Sequence, residues 1–158
     1  MFDIVTATDD KQGVLRRQAA RIPDPTAPGM GELVSEMIAV MRRSDGVGIA
    51  APQVGLPIRL FVIETGGRVS VFFNPSIVSY SEEKSVSEEG CLSVPGEFYP
   101  IERSSRISME YQDIGGKKNR IDADGFLAVV LQHEYDHLEG ILIVDRFKKQ
   151  KPENAYAL

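Results

Sequence analysis

Residues 124–140 constrain the chain most. Asp124 is a favoured helix N-cap and Gly140 a favoured residue just past a helix end. Between them, Phe126, Leu127, Val129, Val130, Leu131 and Leu138 make a helix that is apolar nearly all round. Such a helix has to be covered on most sides by other elements. Yet its centre reads Gln132-His133-Glu134-Tyr135-Asp136-His137. Ionisable groups are costly to bury unless they are paired or bind a metal. A fold that accepts this segment must wrap it and also find partners for its polar residues, and a conflict of this kind tends to mark function.

The remaining pattern supplies the wrapping. Met30, Leu33, Val34, Met37, Ile38 and Met41 form one apolar stripe and predict a helix over 29–43, ended by Ser44-Asp45-Gly46. Ile58–Glu64 and Arg68–Phe73 read as strands joined through Thr65-Gly66-Gly67, with a further strand at Ile77–Tyr80. Ser104–Gln112 alternates and returns, after Asp113-Ile114-Gly115-Gly116, as Lys117–Asp122. Successive hairpins imply mainly antiparallel pairing. The first 28 residues are the least patterned: Met1–Val5 reads as a short strand, Lys11–Arg21 as a weak surface helix, and Pro23, Pro25 and Pro28 as a loop. A chain of 158 residues fits one domain, residues 1–158, with residues 141–158 as a short C-terminal tail.

His133 and His137 stand four apart and share one helix face, with Glu134 directly after the first. This is H-E-x-x-H, in which two imidazoles bind a divalent metal and the glutamate handles protons. A catalytic metal needs a third ligand. Downstream, the metzincin pattern fails because the required His position is Ile143. Glu139 faces away two residues past His137, and Asp145 and Glu153 fall in apparent strand and tail. The better candidate is Cys91, in the loop-like stretch Glu89-Gly90-Cys91-Leu92-Ser93-Val94-Pro95-Gly96. The chain holds one Cys and two His, so a Cys-His-His site uses all of them and leaves a fourth position for water, the catalytic arrangement. A lone Cys also fits a reducing compartment, and no secretory signal or membrane span is apparent, so a cytoplasmic protein is expected. With 18 basic and 23 acidic residues, net −5, the chain is not expected to bind nucleic acid or a membrane surface.

A third motif, Gly46-Val47-Gly48-Ile49-Ala50-Ala51-Pro52-Gln53, is neither a P-loop nor a dinucleotide fingerprint. Its small residues let another backbone approach closely. Gly46–Gln53, Glu89–Ser93 and Gln132–His137 together resemble the peptide deformylase family, which carries G-x-G-x-A-A-x-Q, E-G-C-L-S and Q-H-E-x-D-H in this order; all three are complete here, and the resemblance runs from about Glu32 to Arg146.

The resemblance implies an α+β fold with antiparallel sheets around the H-E-x-x-H helix. It implies a hydrolase that removes the formyl group from the formyl-methionine of nascent polypeptides and releases formate. Its cofactor would be one divalent ion, Fe2+ in the cell, with Zn2+ or Ni2+ also able to occupy the site. By the same resemblance, Gln53 and the Leu92 amide would stabilise the oxyanion, and Glu89 would pair with Arg103 to brace the Cys91 loop. Glu134 would take a proton from the attacking water and pass it to the leaving amine. Gly48 and Ile49 are expected to pair with the substrate backbone as an added strand. Val47, Phe126, Val129 and Val130 are candidates for the methionine pocket, and Gln132 and Asp136 for anchoring the helix or a ligand imidazole. Many family members carry a longer C-terminal helix, some docking on the ribosome with it, whereas 18 residues follow Gly140 here, which leaves such docking open.

Overall fold

The computed structural model describes residues 1–150. Its framework is a five-stranded antiparallel sheet in the order β1-β2-β3-β6-β7, formed by β1 (Gly48–Ala50), β2 (Leu60–Thr65), β3 (Arg68–Tyr80), β6 (Arg106–Gln112) and β7 (Lys118–Asp124). β4 (Lys84–Cys91) and β5 (Val94–Ser104) form a separate two-stranded sheet. Three α-helices complete the fold: α1 (Met30–Arg43), α2 (Gly125–Leu138) and α3 (Ile143–Gln150).

β2 explains how the sheet organises the core. Its run Leu60-Phe61-Val62-Ile63 is buried on both faces. Phe61 and Ile63 join Phe72, Met109, Ala128 and Leu131 in the layer shared with α2. Leu60 and Val62 join Val34, Met37 and Met41 in the layer shared with α1. The sheet is therefore sandwiched between two helices, and α2 is further covered by β5, whose Ser104 carbonyl accepts from Gln132 Nε2 at 2.9 Å. Among the described residues, no helix is long and apolar enough to cross a membrane.

The expected helix at 29–43 appears as α1, with its stripe turned inward. The β2–β3 hairpin closes on Gly66 and Gly67, both at positive φ (58° and 74°), which matches the twist a two-residue turn needs. β3 also takes in the separate strand expected at Ile77–Tyr80, because the chain passes Asn74 and Pro75 through register shifts rather than a turn.

Other expectations are corrected. Met1–Val5 forms no strand; the segment is fastened by single bonds instead, Val5 N–H to the Gln53 carbonyl and Ala7 N–H to the Ser93 carbonyl, both 2.8 Å. Lys11–Arg21 holds only one 3-10 turn, Val14–Arg16, whose Val14 and Leu15 amides donate to the Asp10 carboxylate, each at 2.9 Å. It lies at the surface as expected, with its Arg and Gln side chains exposed, but Val14, Leu15 and Ala19 are buried beneath it. The stretch expected to be loop around Cys91 is the end of a hairpin, and residues 143–150 of the expected tail are helical. The rest of that tail, including Glu153, lies outside the described residues.

Candidate metal centre and cleft

One turn of α2 separates His133 from His137, so their rings come together on one face with centroids 5.1 Å apart. Cys91 arrives from the end of β4, where a register shift between Gly90 and Cys91 breaks the pairing with β5. One ligand atom each of Cys91, His133 and His137 lies within 4.8 Å of the others, and Cys91 Sγ is 3.4 Å from His137 Nε2. No fourth His, Cys, Asp or Glu joins this cluster among the described residues. Glu139 pairs with Arg59 at 2.7 Å, and Asp145 with Arg16 at 3.1 Å while accepting the Leu142 amide, so both serve elsewhere.

The orientation of His133 is set from behind. Its Nδ1 donates to Glu89 at 2.8 Å, which leaves Nε2 for the cluster. Arg103 grips both Glu89 oxygens, at 2.6 and 2.9 Å, and reaches Asp136 at 2.9 Å. Asp136 in turn takes two bonds from Arg146, at 2.5 and 2.6 Å. Burial pushes the Glu89 carboxyl up, but the bonds from His133 and Arg103 outweigh it and hold it below the usual range. Burial likewise pulls His133 down, yet bonds to Cys91 and Glu89 carry it up to about 10 in the metal-free chain. A cation entering the cluster would replace that proton. Gln132 bonds to the Ser104 and Ala128 carbonyls, so it and Asp136 anchor the helix and neither touches an imidazole.

Glu134 is buried beside this cluster, and its Oε2 has no hydrogen-bond partner. Burial raises its carboxyl to about 7. Space for it exists because residue 48 is glycine: a Cβ there would stand 2.6 Å from Glu134 Oε1. Gln53 is fixed at both ends. Its Oε1 accepts from the Ala50 amide at 2.9 Å, and its Nε2 points to Ser93 Oγ (3.2 Å) and Cys91 Sγ (3.7 Å).

A cleft of about 570 Å³ opens over these groups. Val47, Gly48, Gln53, Leu92, Phe126, Val129 and Val130 line it together with Cys91, His133 and Glu134. Ile49 does not: its side chain is fully buried in the α1 layer and its register partner is Val62 of β2. β1 is an edge strand, and the Val47 carbonyl is taken by Glu64 N–H at 2.8 Å. Alternation along the strand then turns the Gly48 amide and carbonyl to the free edge, toward the cleft. The sequence reading missed Phe98, Ser93 and Arg146. Phe98 lines the cleft and packs over Gly90, but an exposed aromatic in a polar strand carries no distinguishing pattern. Arg146 sits ten residues past Asp136 on a separate helix, a spacing that sequence alone does not relate.

A family model described as Polypeptide deformylase matches residues 1–153. The peptide deformylase of Treponema pallidum (strain Nichols) is 49% identical over 122 residues, covering 77% of this chain and 75% of that protein. The crystal structure of peptide deformylase from Thermotoga maritima superposes with a TM-score of 0.88 at 40% identity, covering 96% of this chain and 99% of that one. A Met-Ala-Ser-bound peptide deformylase from Acinetobacter baumannii gives 0.85 at 32% identity, covering 92% and 98%.

Proposed function

The chain belongs to the polypeptide deformylase family and is a hydrolase that removes the N-formyl group from nascent formyl-methionyl peptides; from that premise we propose how its own residues do so. Cys91, His133 and His137 hold one divalent ion, and Glu134, Gln53 and the Leu92 amide act on the formyl group beside it. The observation that carries this reading is the cluster of three ligand atoms within 4.8 Å, at a cleft that also holds the unpartnered carboxylate of Glu134.

The donor set fits the ion. A thiolate and two imidazoles suit late divalent metals such as ferrous iron, zinc or nickel. His133 Nδ1 is committed to Glu89, so loss of the Nε2 proton to an entering ion leaves the ring in the tautomer a ligand needs. When bound, such an ion supplies Lewis acidity and makes water acidic near neutral pH. Glu134, with its carboxyl near 7, is poised both to accept a proton from water and to return it to the departing amine. Gln53 Nε2, held by its own Oε1 bond, donates to the oxygen of the formyl carbon as charge develops, and Leu92 N–H, next to Cys91, is the second donor.

The peptide runs along the free edge of β1, paired through Gly48. Its methionine side chain lies against Val47, Phe126, Val129 and Val130. The Met-Ala-Ser bound by the Acinetobacter baumannii relative supports a peptide of this kind as the occupant. The same reading takes residues 1–158 as one catalytic domain, working in the reducing cytoplasm on nascent chains as they leave the ribosome. Formate release from formyl-Met-Ala-Ser by the metal-loaded protein tests it. Wild type should turn over, and Glu134→Ala should lose about 10²–10⁴-fold in kcat. Absence of formate from metal-loaded wild type, or full activity of Glu134→Ala, would sink the reading.

A further inference from the structure

We propose that Arg146, on α3, is a positioning residue for the metal centre, acting on His133 through an unbroken chain of charged groups. The proposal rests on the metal-centre reading above. The chain runs Arg146–Asp136–Arg103–Glu89–His133, with every link at hydrogen-bond distance.

Two of its links are two-pronged. Arg146 Nε and Nη2 take the two oxygens of Asp136, and Arg103 Nε and Nη2 take the two oxygens of Glu89. Fork-to-fork pairing fixes the plane of a carboxylate as well as its position. Glu89 is thereby fixed at 2.8 Å from His133 Nδ1, and the orientation of that ring decides where Nε2 points.

Charge balance makes Arg146 necessary. Glu89 and Asp136 are two buried carboxylates, and Arg103 is one buried guanidinium, with side chains 6%, 8% and 2% exposed. Without Arg146, Arg103 would be the one guanidinium shared by both acids, with His133 bonding Glu89 only. Asp136, freed on one side, would then compete with Glu89 for it. Because α3 is also bound to the Cys91 hairpin, the same helix sees both ligand carriers. Ile143 packs with Val94, Ile101 and Cys91, the Phe147 ring lies tilted against Tyr99 with centroids 4.9 Å apart, and the Gln150 side chain accepts from the Glu102 amide at 2.9 Å. Arg146 itself is 38% exposed on its side chain, so its replacement leaves no large void.

The test measures zinc affinity by competition with a chelator, alongside melting temperature and steady-state deformylation at saturating zinc. Arg146→Ala should bind zinc about 10-fold more weakly, the low end of what outer partners of a metal ligand contribute. Its kcat should fall while KM for formyl-Met-Ala-Ser stays unchanged, since Arg146 lines no part of the cleft. Arg146→Lys restores the charge with a single-point donor and should lie between the two. Arg16→Ala removes the other α3 ion pair, to Asp145, and should lower the melting temperature without moving zinc affinity. Wild-type zinc affinity in Arg146→Ala would overturn the proposal whatever its melting temperature. If that variant does not fold, unchanged affinity in Arg146→Lys does so. Failure of wild type itself to bind one zinc would overturn both this proposal and the metal-centre reading, an outcome distinct from the first two.

Discussion

Replacing Gly48 by Ala adds one methyl group at the point where β1 passes Glu134. The new Cβ would stand 2.6 Å from Oε1, 2.9 Å from Cδ and 3.0 Å from Cγ of that side chain. Comfortable contacts to carbon begin near about 3.5 Å, so the carboxyl has to retreat by roughly 1 Å. Gly48 is not among the positive-φ residues, so alanine meets no backbone strain there, and the effect is steric alone. Glu134 sits on a buried helix and cannot swing to solvent. A catalytic group displaced by about 1 Å can cost about 10²-fold in rate. We therefore expect kcat for formate release to fall about 10²-fold. KM should change little, because alanine keeps the amide and carbonyl that face the substrate. Zinc content should stay at the wild-type level, since the three atoms nearest the added Cβ all belong to Glu134, which is not a ligand. Steady-state kinetics with formyl-Met-Ala-Ser, together with metal analysis of the same sample, checks this. A kcat within about threefold of wild type would show that the position of Glu134 is not critical to the proton transfer assigned to it. Loss of zinc would show that the added methyl acts on the ligands instead.

Cys91→Ser should lose zinc affinity by more than the about 10–100-fold that outer partners contribute, because a hydroxyl replaces the thiolate; chelator competition reads the change. Arg103→Met leaves the buried Glu89 without a guanidinium and Asp136 with Arg146 alone, and should destabilise the protein by about 3–5 kcal/mol in denaturant unfolding. Glu134 makes the metal-free protein pH-sensitive in a defined direction. Burial raises its carboxyl from 4.5 to about 7, so the folded chain keeps a proton that the unfolded chain gives up. The resulting stability is complete below pH 4.5 and is lost as pH rises through about 7, by about 3 kcal/mol at most. Glu134→Gln should remove that slope, which urea titrations of both metal-free proteins between pH 5 and 8 would show.

What could be read from the sequence divides along physical lines. α1 and the β2–β3 hairpin were legible because each buries a regular face or turns on Gly-Gly. The centre was legible because two His four apart declare a shared face, and because Cys91 was the one thiol available to join them. The β4–β5 hairpin was not. Lys84–Glu88 is exposed residue by residue, so no alternation of apolar and polar positions marks it as a strand. The N-terminal segment was legible in half: its Arg and Gln side chains are exposed as their types suggest, while Val14 and Leu15 pack against Leu142, a partner more than 120 residues away. α3 is eight residues long and buries only Ile143, too little for a periodic signal.

The conflict inside α2 resolves through helix geometry. Gln132 and Asp136 form one pair four apart, and His133 and His137 form another, turned by about 100° from the first. The second pair, with Glu134, faces the end of β4 and the edge of β1, where a cation and a substrate can enter. The first pair faces β5 and α3 and is fully engaged there, Gln132 by the Ser104 carbonyl and Asp136 by two guanidinium groups. The two stripes are joined outside the helix, since Arg103 bonds Asp136 from the one and, through Glu89, His133 from the other. Ionisable groups on a buried helix are thus tolerated for two different reasons. Those of one stripe neutralise each other with their neighbours. Those of the other are left short of partners, with Glu134 Oε2 unbonded and three ligand atoms converging, which is the condition a reactive site requires.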